Sequence, residues 1–495
     1  MIVAAHHAQT LAYTHHPALH PSHDPPATLR FDYANPQHTV DQLRALQVCI
    51  TGIIAGSELG VELADQLSEL LGLPGNGTAL TDARREKFLM GETLREYSKR
   101  LSEATGQPPI RSVKQHRTEF FDAEDTQRFL QDFFSSSASE QRMIVKPARS
   151  SGSDDVYLCT SPEEVKEKMN FILGRPNKLG IMNTCVLLQE YLEGDEYVVD
   201  TVSKDGVHKL AGCWRYLKGE ANGAKFVYHG MVIVDGASET GRQVFEYTKH
   251  VLDALNIRNG CGHAEVMLSP TKGPCLVEIG ARLHGGEGIF INVARRCVGY
   301  SQVEAAAAFL GTDREFETLP QVWKLKPGCF GAAIDLISYR EGVLAGLSKE
   351  AVIEAMQMPA FISFNCMPKV GDSIMKTVDC FTTVGSISIA LTPSRILGPD
   401  SEEASTASAA AREGIMRTIQ QIRDIERRLF VLEGDDAAHD PKKCIPSVTA
   451  ISLDEVRSYR ASNNDGARYC DRESEPELKL ADCSRPLHPT SVQSE

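Results

Sequence analysis

LVEIGARLHGG, residues Leu276–Gly286, and the preceding GHAEVML, residues Gly262–Leu268, contain the residues that decide how this chain folds and what it does. In each segment apolar residues surround a carboxylate, Glu265 in the first and Glu278 in the second. If a hairpin pairs two strands here, both carboxylates can face one hard cation such as Mg²⁺, which prefers oxygen ligands. A solvated strand face is the alternative, but the apolar neighbours make an unpartnered charge costly. The pattern predicts a metal site.

The residues that follow Glu278 are typical of a site that holds an anion. Arg282 has a planar guanidinium that can clamp a phosphate or a carboxylate. His284 either orients a substrate, together with Gly285 and Gly286, or is a hydrogen-bonded structural histidine. The sequence leaves both interpretations open.

Two upstream segments favour a nucleotide as the ligand. VKPARSSGSDDV, residues 145–156, predicts a strand that ends at Lys146 and then a loop of small residues whose backbone N–H groups can approach phosphates. LLQEYLEGDEYVVD, residues 187–200, predicts two strands joined by an acidic connector, which can meet an adenine edge and offer Glu196 to ribose hydroxyls. A surface turn with a solvated lysine and a plain hairpin rim are the respective alternatives.

The periodicity predicts an α+β chain. After a buried strand in VCITGIIAGSE, apolar residues at helical spacing predict a helix from Ser57, and a second helix is expected at Asp82–Lys99. From Arg142 to about Tyr300 the pattern is rich in hairpin-like strands, interrupted by helices at Ser161–Leu173 and Thr240–Leu255 and followed by one at Ala294–Leu310. A long helix is predicted at Ser401–Phe430.

Composition divides the chain and limits its partners. We expect order to begin near Val48, after a His- and Pro-rich N-terminus of poor order at 1–45, and to end before a polar, mostly disordered tail at 434–495. The formal charge of −14 argues against nonspecific binding to nucleic acid or anionic membranes, and no apolar run approaches the roughly 18 residues of a membrane span. Thirteen cysteines without a C-x-x-C pair indicate reduced thiols, so the cytoplasm is the expected compartment.

In this order, the segments from Val48 to Phe430 resemble the ATP-grasp superfamily of carboxylate–amine ligases. The resemblance implies a partial leading α/β domain at 46–85, an ATP-grasp domain at 86–312 and a C-terminal α+β subdomain at 321–432. It implies ATP as cosubstrate, with Lys87 and Lys146 on the phosphates and Glu265 and Glu278 on Mg²⁺ or Mn²⁺. It further assigns the phosphate loop to Ser150, Ser151, Gly152 and Ser153, the adenine hinge to Gln189, Glu190, Tyr191 and Leu192, the ribose to Glu196, and the transferring group to catalytic Arg282.

One departure from the family pattern concerns the metal. Members usually carry E-x-N-x-R, whereas here Gly280 stands at the asparagine position, so the number of metal ions is open. The H-x-E at His263–Glu265 and the R-x-H-G-G at Arg282–Gly286 look most like ligases that join amino acids. The resemblance implies activation of an amino-acid carboxylate as an acyl phosphate, its transfer to an amine, and homodimerisation as an option. A nucleotide-binding regulatory or scaffold protein without turnover is the alternative.

Overall fold

The computed structural model describes residues 35–47, 49–135, 141–393 and 401–448, together with the backbone of three N-terminal strands. These residues form four β-sheets with helices packed against them. The predicted tail beyond 448, and most of the predicted poorly ordered N-terminus, lie outside the described residues.

The leading part contains a four-stranded sheet in the order β3-β2-β1-β4. Its elements are β1 (Ile2–Ala5), β2 (Thr10–Thr14), β3 (Ala27–Arg30), α1 (Pro36–Ala45), β4 (Gly52–Ala55) and α2 (Val61–Leu71). Regular structure therefore begins before Val48, contrary to our expectation. The helix α1 was missed because its core face offers only Val40 and Leu43, both buried against α2 and β4.

A second four-stranded sheet, ordered β5-β8-β6-β7, is antiparallel throughout. Its elements are α3 (Lys87–Thr105), β5 (Gln115–Thr118), α4 (Glu124–Phe134), β6 (Met143–Pro147), β7 (Tyr157–Cys159), α5 (Pro162–Ile172) and β8 (Val186–Glu190). The predicted helix at Asp82–Lys99 begins later, at Lys87, because Glu86 accepts hydrogen bonds from the first helical N–H groups. This cap places Lys87 in the first turn.

An eight-stranded sheet, in the order β13-β12-β9-β10-β11-β14-β18-β16, forms the centre of the protein. Its first part comprises β9 (Asp195–Lys204), β10 (Val207–Ala221), β11 (Ala224–Ile233), α6 (Glu239–Ala254), β12 (Gly260–Ser269), β13 (Gly273–Gly280), α7 (Ile291–Cys297), α8 (Gln302–Leu310) and α9 (Asp313–Thr318). The helix expected at Ala294–Leu310 is two helices, because Gly299 has φ +119° and Ser301 caps α8 with a capping box.

The C-terminal part shares the eight-stranded sheet with the preceding residues. It contributes β14 (Phe330–Asp335), β15 (Gly342–Ser348), α10 (Lys349–Met356), β16 (Phe361–Cys366), β17 (Ser373–Ile374), β18 (Gly385–Leu391), α11 (Glu402–Leu429), β19 (Phe430–Leu432) and β20 (Cys444–Ile445). Because β11 pairs with β14, one sheet crosses the boundary predicted between 312 and 321. Because β20 pairs with β15, regular structure continues beyond residue 434, where the sequence predicts a mostly disordered tail.

The main hydrophobic core lies between the eight-stranded sheet and helices α6, α7 and α11. Trp214 and Trp323 are its largest fully buried side chains and meet edge to face. None of the helices among the described residues is both long and apolar enough to cross a membrane.

Candidate active site

A cavity of about 320 Å³ lies between the second sheet and the eight-stranded sheet. It brings together every residue predicted for the nucleotide and the metal, although these residues span almost 200 positions of sequence. The lining residues among them are Lys87, Lys146, Ser150, Ser151, Gly152, Ser153, Gln189, Glu190, Tyr191, Leu192, Glu196, Glu265 and Glu278.

Glu265 and Glu278 lie directly opposite each other on the antiparallel strands β12 and β13. A β-bulge follows Glu265 in this pairing. Opposite residues in such a pair point to the same face of the sheet. The hairpin on which the predicted metal site depends is therefore present, and both carboxylates line the cavity.

Glu196 extends this row of carboxylates across the sheet. It lies on β9 opposite Met267, two residues from Glu265 on the same face. Burial raises the pKa of Glu196 to about 7, and its neighbour Glu265 adds to the rise. The pKa of Glu265 is lowered instead, since Lys218 and His263 outweigh its burial. Burial and the neighbouring carboxylate thus make Glu196 the weaker acid of the two.

The cations come from three different elements. Lys87 Nζ, at the start of α3, lies 2.9 Å from Glu278 Oε2 and also donates to the backbone carbonyl of Ser150. Lys146, on β6, is buried, and burial together with Lys87 lowers its pKa to about 8. Lys218, on β10, lies 2.7 Å from Glu196 Oε1. We call this group the open cluster: Lys87, Lys146, Lys218, Glu196, Glu265 and Glu278.

Five lining residues on β10 and β11 were not predicted from the sequence: Tyr216, Lys218, Lys225, Phe226 and Tyr228. Tyr216 donates to Glu265 Oε1 at 3.1 Å, and Lys218 lies over the rings of Tyr216 and Tyr228. The local pattern predicts strands over KLAGCWRY, residues 209–216, and GMVIVD, residues 230–235, whereas β10 runs to Ala221 and β11 begins at Ala224. Tyr216 and Lys218 lie two residues apart on one face of β10, and this period of two was the available signal.

The small-residue loop after Lys146 is contacted from the C-terminal part. Gly152 and Ser153 both have left-handed backbones, with φ +69° and +61°. The N–H of Cys380 donates to the Gly152 carbonyl, and a Cβ on Gly152 would collide with the Cys380 thiol. An ion pair between Lys178 and Asp379 lies beside this contact. Packing thus ties the loop to the turn at residues 379–382.

The predicted hinge follows β8. Gln189 donates from its amide nitrogen to Gln115, and Glu190 accepts from the N–H of Lys114. These contacts hold the two side chains against β5 and the residue before it. Tyr191 and Leu192 follow at the cavity wall, where the chain continues to β9. Arg142 stacks on the outer face of the Tyr191 ring.

His284 does not line this cavity. Asp200 Oδ2 lies 2.9 Å from His284 Nδ1, and its other oxygen lies 2.8 Å from His263 Nδ1. The His284 ring stacks on Phe290 and meets the His263 ring at 4.3 Å between centroids. We call Asp200, His263 and His284 the closed cluster. These internal contacts favour the structural interpretation of His284, and its ring is buried with a lowered pKa.

Arg282, Gly285 and Gly286 also lie outside the cavity lining. Arg282 Nε donates to Glu58 Oε2 at 2.8 Å, so a residue of the leading part contacts the predicted catalytic arginine. The turn beyond it has left-handed backbones at Gly286, Glu287 and Gly288. A left-handed non-glycine residue such as Glu287 stores strain of about 1–3 kcal/mol.

Comparisons with known proteins agree with this geometry. Residues 99–286 match the ATP-grasp domain family. The chain therefore carries an ATP-grasp domain, and the resemblance and the fold class drawn from the sequence are confirmed.

One relative by sequence and two solved structures are similar to this chain. Dapdiamide A synthase of Enterobacter agglomerans is 29% identical over 386 residues, which cover 77% of this chain and 81% of that protein. The crystal structure of an L-amino acid ligase from Bacillus licheniformis has the same fold, with a TM-score of 0.57 and 16% identity over 81% of this chain and 86% of that one. An N5-carboxyaminoimidazole synthase from Aspergillus clavatus, solved with ADP, matches at a TM-score of 0.52 and 14% identity over 78% of this chain and 85% of that one.

Proposed function

We propose that this protein is an ATP-dependent ligase that joins the carboxylate of an amino acid to an amine, releasing ADP and phosphate. The observation that carries the proposal is the pairing of Glu265 with Glu278 at the wall of a cavity that Lys87 and Lys146 also line. An ATP-grasp domain and relatives named as a dapdiamide A synthase and an L-amino acid ligase support the reaction class and the amino-acid substrate.

In the proposed reaction, a substrate carboxylate oxygen attacks the γ-phosphorus of ATP, and the bond to the β,γ-bridging oxygen breaks. The products of this step are an acyl phosphate and ADP. The amine then attacks the acyl carbon, loses a proton, and expels phosphate to leave an amide. Phosphoryl transfer depends chiefly on positioning and charge neutralisation, which the lysines of the open cluster supply.

The paired glutamates fit a magnesium ion. Both offer only oxygen, both face the cavity, and the lysines around them would not ligate a cation. Glu265 and Glu278 would hold Mg²⁺, with Mn²⁺ as the alternative, and Gly280 offers no further side-chain ligand. The ion would neutralise negative charge on the phosphates.

The remaining residues would bind ATP and exclude water. We assign the adenine to the hinge at 189–192, the ribose to Glu196 and the phosphates to Ser150–Ser153 with Lys146. Acyl phosphates hydrolyse, so a loop that closes over them protects the intermediate. Arg282 lies outside the cavity lining, but its charge interacts with those of Glu278 and Glu265, and we assign it to the transferring phosphoryl group. The reduced cysteines predicted from the sequence support a cytoplasmic location.

Phosphate release tests the proposal. Purified protein with ATP and Mg²⁺ should release phosphate and ADP only when an amino acid is added, and mass spectrometry should detect the amide for the productive pair. A panel of amino acids and amines also identifies the substrates. Formation of AMP and pyrophosphate would contradict the acyl-phosphate route. ATP binding without turnover across the panel would favour the regulatory alternative, which Gly280 motivates.

A further inference from the structure

Glu58, in the leading part of the chain, lies between Arg85, which precedes α3, and Arg282, which follows β13. Its Oε2 accepts from Arg282 Nε at 2.8 Å, and its Oε1 accepts from Arg85. The side chains of all three residues are at least four-fifths buried. Glu58 therefore bridges a segment just before α3 to the residues that follow β13.

The space for this carboxylate exists because residue 280 is glycine. A Cβ on Gly280 would lie 2.9 Å from Glu58 Oε2 and 3.2 Å from both Cγ and Cζ of Arg282. The Gly280 backbone lies outside the left-handed region, so any residue could adopt its conformation. Gly280 thus matters for space rather than for backbone freedom, since a methyl group there would displace the Glu58 carboxylate from its present position.

Charge also ties Glu58 to its position. Burial acts to raise the pKa of Glu58. The positive charges of Arg282, Arg85 and Lys87 outweigh this effect, so the pKa is lowered. Without the carboxylate these three cations would face one another across a partly desolvated region, and Arg282 would lose the acceptor of its Nε. The guanidinium is therefore oriented by Glu58 at Nε and by the Leu283 carbonyl, which accepts from Nη1 at 2.9 Å.

We propose that Glu58 and Gly280 act as one unit that positions Arg282 for phosphoryl transfer, with Glu58 as a positioning residue supplied by the leading part. The inference rests on the proposed function for its kinetic meaning. Its structural half, the dependence of Glu58 and Gly280 on each other, can be measured without any turnover.

The kinetic test compares Glu58→Gln with Glu62→Gln. Both changes remove one carboxylate near Arg85. Glu62 is half-exposed, however, and forms ion pairs with Arg85 and Arg149 instead of Arg282. We expect Glu58→Gln to lower kcat about 10- to 100-fold with the KM for ATP within about twofold, because a misplaced catalytic group costs rate rather than nucleotide binding. Glu62→Gln should retain the wild-type kcat.

The structural test is a cycle of thermal unfolding temperatures for Gly280→Ala, Glu58→Ala and the double variant. Gly280→Ala should lower Tm by a few degrees when Glu58 is present, since the added methyl meets the carboxylate. In the Glu58→Ala background the same change should cost little, because the space is open. Non-additivity of this kind identifies two residues in contact.

Each outcome decides the proposal. Wild-type kcat in a folded Glu58→Gln variant, or a rise of the KM for ATP that accounts for the whole loss, would overturn the positioning role. Additive Tm shifts would overturn the unit of Glu58 and Gly280. If the wild-type protein shows no turnover, the proposed function fails, while the unfolding cycle still tests the coupling. Should Glu58→Ala not fold, Glu58→Ser provides the same open space for the cycle.

Discussion

The open cluster and the closed cluster lie side by side on one face of the eight-stranded sheet, and they use charge differently. Glu265 of the open cluster is two residues from His263 of the closed cluster. In the closed cluster Asp200 has no exposed surface, and its two oxygens each meet one imidazole. The two clusters meet at His263, whose Nε2 lies 3.8 Å from Glu265 Oε1. In the open cluster three lysines and three carboxylates line a cavity. A cluster whose groups satisfy one another stabilises the fold, whereas one that lines a cavity can bind a ligand.

The largest effect should follow from Glu278→Ala, which removes one of the paired carboxylates. We expect turnover to fall by at least about 10³-fold, since charge neutralisation at the phosphates is lost, while the protein stays folded. Phosphate release and circular dichroism measure the two effects. Glu246→Ala, which removes a surface glutamate paired with Lys249, is the control. Near-normal turnover in folded Glu278→Ala would refute the assignment.

A smaller loss is expected from Lys146→Met, which preserves bulk but removes a buried charge. The kcat/KM for ATP should fall about 100-fold, because the lysine meets negative charge in the transition state. Lys166→Met, at a surface lysine that pairs with Asp122, should leave it unchanged. If the two variants have the same kcat/KM for ATP, Lys146 takes no part in nucleotide binding or phosphoryl transfer.

The dependence of the kcat/KM for ATP on pH should report the titration of the same residue, Lys146. Its pKa of about 8 means that the ammonium is present below pH 8 and is lost as the pH rises through that value. The kcat/KM for ATP reports the free enzyme, so it should decline above about pH 8, approaching tenfold per pH unit. Arginine stays charged, and Lys146→Arg should move the decline to higher pH. An unshifted decline in that variant would assign it to another group.

Asp200→Asn should have the smallest effect on turnover, within about threefold per folded molecule. It should instead lower the free energy of unfolding at pH 7 by about 2–4 kcal/mol, because the asparagine cannot accept from both imidazoles. The pKa of Asp200 is depressed, so its stabilisation is present at neutral pH and is lost as the pH falls below its unfolded value near 4.

Urea unfolding of wild type and Asp200→Asn at pH 7 and at lower pH measures this difference, which should shrink on acidification. A loss of turnover comparable to that of Glu278→Ala, at unchanged stability, would show that the closed cluster takes part in the reaction. The distinction between the two clusters would then fail.

The sequence predicted the open cluster well where chemistry and local pattern coincide. Apolar strands that end in Lys146 or carry Glu265 and Glu278 indicate both an element and a ligand, and the cavity contains all three. Lys218 was missed because its role depends on neighbours from other strands, Glu196 on β9 and Tyr228 opposite it on β11, which local periodicity does not encode. Which β-strands pair is a property of the whole chain.

Glu58 and Asp200 illustrate the other limit. Nothing near Glu58 in sequence indicates that its partner is Arg282, more than 220 residues away, and the meaning of Gly280 appears only when both are placed together. Asp200 lies in a strand predicted correctly, yet its two histidine partners come from different segments. Contacts across sheets and between distant segments depend on packing.

The register of β12 and β13 bears on which changes of length the chain can accept. Glu265 and Glu278 face the cavity together because the twelve residues between them, which include one bulge, hold a fixed pairing. Deleting or inserting a single residue inside either strand would turn one carboxylate to the opposite face. Extra residues in the turn at 270–272 would leave both strands unchanged. Natural or engineered length variation should therefore be confined to that turn.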